Sequence, residues 1–96
     1  MSIADFSDPT IALRKAKTYL GKDIIFKLSD NPKKKYMVLN PTNNKWIHFG
    51  QMGYEDFTKH KDEKRRENYL KRTANMPGNW KENKYSPNNL SRNILW

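Results

Sequence analysis

Two dense turn-forming runs, Ser29-Asp30-Asn31-Pro32 and Asn40-Pro41-Thr42-Asn43-Asn44, divide the middle of this sequence into short pieces. Each piece reads as a strand. Asp23 to Leu28 is rich in β-branched and aromatic residues, Lys35 to Leu39 follows the first turn, and Lys45 to Phe49 follows the second and is stopped by Gly50. Short strands joined by tight turns predict a three-stranded antiparallel meander. Within it Ile24, Phe26 and Leu28 share one face, and Trp46 and His48 share one face of the third strand.

The flanks are helical or irregular. Ser7 or Asp8 supplies a helix cap, Pro9 the first helical position and Gly21 the residue beyond the last turn. Ala12, Ala16 and Tyr19, with Leu13 and Leu20 beside them, form an apolar stripe at helical spacing. Its small alanines predict close packing on a sheet face. Tyr54 to Thr58 reads as a loop or single turn. Asp62 to about Thr73 reads as a charged helix capped by Asp62. The Pro-, Gly- and Asn-rich stretch from Met76 to Asn89 should wrap over the surface, anchored by Trp80 and Tyr85. Ser86 and Pro87 open a short final helix whose Leu90, Ile94 and Leu95 share a face. The expected fold is therefore α+β: an N-terminal helix, a three-stranded antiparallel meander, a charged helix and an irregular C-terminal wrap with a short final helix, all in one small basic domain spanning residues 1–96. A small core depends on its largest aromatic side chains, and structural anchors are expected among them at Trp46, Tyr69, Trp80 and Trp96.

The chain carries 19 Lys and Arg against 10 acids, a formal charge of +9, and the surplus falls after residue 32. Such a balance attracts phosphate backbones and acidic surfaces. Lysine richness together with many Asn residues also fits an AT-rich coding genome, which gives the charge a second origin. With no cysteine, disulfides, cysteine-bound zinc and thiol nucleophiles are excluded, and an intracellular, reducing compartment is the simplest expectation. No apolar run approaches a membrane span, and the N-terminus lacks the apolar stretch of a secretory signal.

Candidate chemistry is sparse. Two histidines are too few for a histidine metal site, and no HExxH spacing occurs. His60 and Asp62 stand two apart, which on a helix points them away from each other. Gly50 and Gly53 make a GxxG that follows a strand rather than joining helices. No nucleophile elbow and no carboxylate pair marks an active site. No catalytic residue, metal or cofactor is therefore expected.

Binding residues are easier to nominate. Lys33, Lys34 and Lys35 sit in the turn before the second strand. Asp62, Arg65, Tyr69 and Arg72 form one helical stripe, which is either a hydrogen-bonded face docked on Tyr54–Thr58 or a row of arginines for phosphate with Tyr69 as a stacking group. Lys61, Lys64, Asn68 and Lys71 form the neighbouring, solvated stripe. The candidate nucleic-acid contacts are thus Lys33, Lys34, Lys35, Lys61, Lys64, Arg65, Lys71 and Arg72, acting on phosphates without reading sequence.

From Lys45 onward the chain resembles the small basic proteins of unknown function encoded by nucleocytoplasmic large DNA viruses. The resemblance rests on His48-Phe49-Gly50, on Gly53-Tyr54-Glu55-Asp56-Phe57-Thr58-Lys59-His60-Lys61-Asp62, on Arg65, Tyr69-Leu70-Lys71-Arg72 and Trp80, and on Leu90-Ser91-Arg92-Asn93-Ile94-Leu95-Trp96. It covers roughly the C-terminal half; Thr73 stands where the pattern often has His. The resemblance implies a virus-encoded protein and no particular activity. It also implies core roles for Tyr54, Phe57, Trp80 and Trp96, and buried ion pairs among Asp56, Asp62, Arg65 and Arg72. The expected protein is non-enzymatic and located in the virion, or in the host cytoplasm or nucleus during infection. Its partner is DNA, bound non-specifically in a nucleoid, or capsid proteins, met as a minor shell or cement component. A metal-dependent nuclease is the third reading.

Overall fold

A computed structural model describes residues 3–96. The architecture is α+β, with a three-stranded antiparallel sheet, an N-terminal helix, a charged helix and a short C-terminal helix. A single 3₁₀ turn at Ile3–Asp5 leads to helix α1, Pro9–Leu20. The Asp8 carboxylate accepts the Thr10 and Ile11 amides at 3.0 and 3.3 Å, satisfying donors that the first turn leaves without partners. Gly21, at φ 106°, returns its N–H to the Lys17 carbonyl and ends the helix.

Strands β1 (Phe26–Leu28), β2 (Lys34–Asn40) and β3 (Lys45–Gln51) lie in sequence order. Phe26 pairs with Val38 in the β1–β2 ladder; Tyr36 pairs with Phe49 and Val38 with Ile47 in the β2–β3 ladder. Because side chains alternate along a strand, this register sends Phe26, Tyr36, Val38, Ile47 and Phe49 to one face. Tyr36, Val38 and Phe49 are fully buried there, and Phe26 lies 4.9 Å from the Tyr36 ring. Leu28 has the same parity but is exposed. Trp46 and His48 do share a face, the outer one.

β3 does not stop at Gly50. It continues to Gln51, which pairs with Lys34. Gly50 has φ +80°, and a Cβ there would meet Leu95 Cδ1 at 2.8 Å, so the glycine admits the C-terminal segment instead of ending the strand.

Helix α2 is a single turn, Phe57–His60, capped by Asp56. Helix α3 spans Glu63–Ala74, and Asp62 caps it by accepting the Lys64 and Arg65 amides. A 3₁₀ turn at Trp80–Glu82 precedes α4, Pro87–Leu90, capped by Ser86 and continued without a break by a π-helical turn, Ser91–Leu95. Leu90, Ile94 and Leu95 are buried as their shared face requires.

The expectation that α1 rests chiefly on the sheet needs correction. Its buried Ala12 and Ala16 meet mainly the Ser91–Leu95 turn, which also touches β3. Leu90, Ile94 and Leu95 supply the bulk that the alanines lack, so the end of the chain is the middle of the core. No helix among the described residues is long and apolar enough to cross a membrane.

Candidate nucleic-acid interface

A groove of about 620 Å³ runs between α3, the loop after β3 and the C-terminal segment. β2 contributes Lys34 to its lining, the loop Tyr54 and Glu55, α3 Arg65, Tyr69 and Arg72, and the C-terminal segment Trp96. Two structural devices hold these walls together.

The first is a buried polar chain beneath the loop. Lys35, 3% exposed, places Nζ 3.1 Å from Asp56 Oδ2 and donates to the Tyr54 carbonyl at 2.5 Å. Asp56 Oδ1 accepts both the amide and the hydroxyl of Thr58. Since the Thr58 hydroxyl gives its one proton to Asp56, Ser7 must donate across the 3.0 Å contact to Thr58, and Tyr36 then donates to Ser7 at 2.6 Å. Every donor in the chain thus points toward one carboxylate. Burial pulls the Lys35 ammonium below the usual lysine range, with the Asp56 charge opposing it. Burial also pushes the Tyr36 phenol up to about 12. This chain joins the N-terminal segment, β2, the loop and α2.

The second device is a stack. Tyr69 and Trp96 lie 4.2 Å apart with rings 11° from parallel, and Arg66 Nε donates to the Trp96 carbonyl at 2.8 Å. Burial raises the Tyr69 phenol above its ordinary value. His60 also packs against Trp96, its ring centroid 5.1 Å away. Its Nδ1 accepts the Asp62 amide, so His60 and Asp62 meet through backbone and not as an acid–base pair. Burial, reinforced by Arg65, holds this imidazole below its ordinary value.

The nominated cations have separate fates. Lys34, Arg65 and Arg72 converge on the groove. Arg65 lies 3.3 Å from Glu55, with both side chains substantially exposed, and Arg72 sits over the Tyr69 ring at 5.5 Å. Lys33, Lys61 and Lys64 are exposed. Lys71 pairs with Glu67 at 3.2 Å and lines a separate depression with Glu63 and Arg66. Lys35 is a correction: its charge is spent on Asp56, so it is no phosphate contact. Strand alternation separates adjacent lysines in this way, and β2 begins at Lys34.

Among the expected anchors, Phe57, Tyr69, Trp80 and Trp96 are half-buried. Phe57 is flanked by Lys15 and Arg66 at 6.0 and 5.6 Å, and Trp80 by Arg92 at 5.5 Å. Trp46 and Tyr54 are not core residues. Trp46 is 38% exposed on the outer sheet face beside Lys27, and Tyr54 is 66% exposed in the groove. The loop ends strand pairing before Tyr54, which removes any neighbour that would cover the ring. The ion pairs expected among Asp56, Asp62, Arg65 and Arg72 also do not form: Asp56 pairs with Lys35, Asp62 is an exposed helix cap, and Arg65 takes Glu55 at the surface. From the sequence Glu55 reads as an ordinary loop acid with no part in the site, and Tyr54 as a core ring, not an exposed one. The signal for Tyr54 was its place in a polar loop directly after Gly53.

Among the described residues no group of three or more His, Asp or Glu is placed to hold a metal ion. Compared with known proteins, residues 24–73 match the profile of a family described as being of unknown function, DUF5754, over the sheet, α2 and most of α3. No curated protein and no solved structure matches the chain.

Proposed function

Since the chain belongs to the family of unknown function DUF5754, with 50 of its 96 residues matched, its activity must be argued from geometry, and we propose a non-enzymatic protein that binds nucleic acid through phosphate contacts independent of base sequence. The observation that carries this reading is the convergence of Lys34, Arg65 and Arg72 on one groove, opposed there by the single exposed carboxylate of Glu55. Lys33, next to Lys34, and Lys61 and Lys64, exposed near the start of α3, extend the positive field beyond the groove. Phosphate contacts of this kind release condensed counterions, so affinity depends on salt and little on sequence. The resemblance of the C-terminal half to virus-encoded basic proteins supports a genome-associated role in a virion. A gel-shift series with DNA at rising salt tests the proposal. Binding should weaken steeply with salt and vary little among base sequences; absence of binding at low salt rejects it.

One observation favours a second reading, a minor capsid or cement protein. Ile25, Leu39 and Trp46 form an apolar row across the outer sheet face, with Ile25 46% and Trp46 38% exposed. Such a row suits protein contact. Fractionated particles separate the readings: a cement protein travels with the shell, a nucleoid protein with the genome.

A further inference from the structure

We propose that the groove takes a single strand, with a base stacked on Tyr54, in preference to a duplex; this rests on the nucleic-acid reading above and specifies its ligand.

The charge alone does not discriminate, because both forms carry phosphates. The aromatics do. Tyr54, a residue 66% exposed to water, stands within a lining that also contains Lys34, Arg65 and Arg72. Leaving that apolar surface hydrated is unfavourable unless a partner covers it. In a duplex the base faces are already stacked on one another, and a ring beside its backbone finds nothing to stack on. A single strand offers free base faces, and base–aromatic stacking is tolerant of sequence because every base has a π-face. The groove has the other elements of a single-strand site. Tyr69 and Trp96, in the same lining, are stacked on each other with Arg72 over Tyr69 and His60 against Trp96, so they form a rigid wall that needs little ordering on binding and leave Tyr54 as the exposed stacking surface. Gln51 and Asn68 add exposed amides that can meet base edges of any identity.

Shape agrees. A slot of about 620 Å³, in a molecule 35 × 30 × 24 Å, has the dimensions of a ligand cleft and admits a short stretch of flexible strand. A duplex is a convex rod and would ride over the rim, touching Lys33, Lys61 or Lys64 without entering.

The test uses the full chain with three probes at one low salt concentration: a thymidine 12-mer, the same length carrying abasic sites in its centre, and a 12-base-pair duplex. The thymidine strand should bind most tightly. Tyr54→Ala should weaken it by about 5- to 100-fold, leave duplex binding unchanged, and have little further effect on the abasic strand, which keeps its phosphates but offers no central base. Tyr54→Phe, which preserves the ring, should bind as the parent does. Because Tyr54 is exposed, circular dichroism should show both variants folded. If duplex and single strand bind equally and Tyr54→Ala changes neither, the single-strand assignment is overturned while nucleic-acid binding stands. If no probe binds, the functional proposal itself fails.

Discussion

Lys35 Nζ lies 3.1 Å from Asp56 Oδ2 with both side chains almost wholly withdrawn from water, and the same ammonium holds the Tyr54 carbonyl. A buried pair of this kind adds little net stability over an apolar substitute, but losing one member strands the other charge. Its value here is positional: it fixes the loop that carries Tyr54 and Glu55 into the groove.

The first prediction follows from that asymmetry. Lys35→Met should destabilise the fold by about 3–5 kcal/mol, because Asp56 keeps only its Thr58 contacts. That is a large share of the roughly 5–15 kcal/mol expected of a domain. The double variant Lys35→Met with Asp56→Asn should recover part of the loss. Urea denaturation of the parent, Lys35→Met, Asp56→Asn and the double variant checks this; a double variant as unstable as the sum of the singles would deny the coupling.

Tyr36 yields a pH prediction. Its phenol is pushed up to about 12 by burial, against 10 in the unfolded chain. A raised value means that the folded state holds its proton longer. The stabilisation is therefore fully present below pH 10 and is lost as pH rises from 10 to 12, by about 2–3 kcal/mol in all. Lys35, lowered by burial, works in the opposite direction: its penalty shrinks as pH rises toward 10.5. Tyr36→Phe should flatten the decline between pH 10 and 12. Denaturation midpoints across that window check it.

Gly50 and Gly53 separate two uses of a positive φ. Both would strain a side chain, at φ +80° and +98°, but only Gly50 also faces Leu95 Cδ1 at 2.8 Å and the Lys35 stem. Gly50→Ala should cost about 1–3 kcal/mol in overpacking beyond the backbone strain. Gly53→Ala, with open space around it, should cost the strain alone, near 1 kcal/mol. Thermal melts of the two variants would deny this account if their losses were equal.

These residues also mark what the sequence made legible. The meander, both long helices and their caps were readable because each is signalled locally: turn formers at 29–32 and 40–44, Asp8 with Pro9, and Asp62 before a charged run. Ser86 and Pro87 announced the last helix equally well. Long-range placement carried no such signal. Nothing near Ala12 and Ala16 says that Ile94 and Leu95 come between helix and sheet, and nothing near Lys35 names Asp56 as its partner, 21 residues away. Exposure of Tyr54 failed for the same reason: aromatic content predicts burial only where some other element arrives to cover the ring. Of the candidate site, α3 gave Arg65, Tyr69 and Arg72 through helical periodicity, whereas the loop and the C-terminal wall depended on the fold.

The last prediction compares adjacent residues on α3. Arg72 lines the groove over Tyr69, while Lys71 pairs with Glu67 beside a different depression. The two contribute the same formal charge, so net charge alone gives no reason for them to differ. If net charge governs binding, Arg72→Glu and Lys71→Glu should weaken nucleic-acid affinity equally. If the groove is the site, Arg72→Glu should weaken it at least tenfold, about 1.4 kcal/mol, and should lower the slope of log affinity against log salt by about one contact. Lys71→Glu should leave that slope nearly unchanged. Both side chains are exposed, so neither substitution should disturb folding. Fluorescence anisotropy of a labelled 12-mer at several salt concentrations reads both quantities; equal slopes for the two variants would move the interface off the groove.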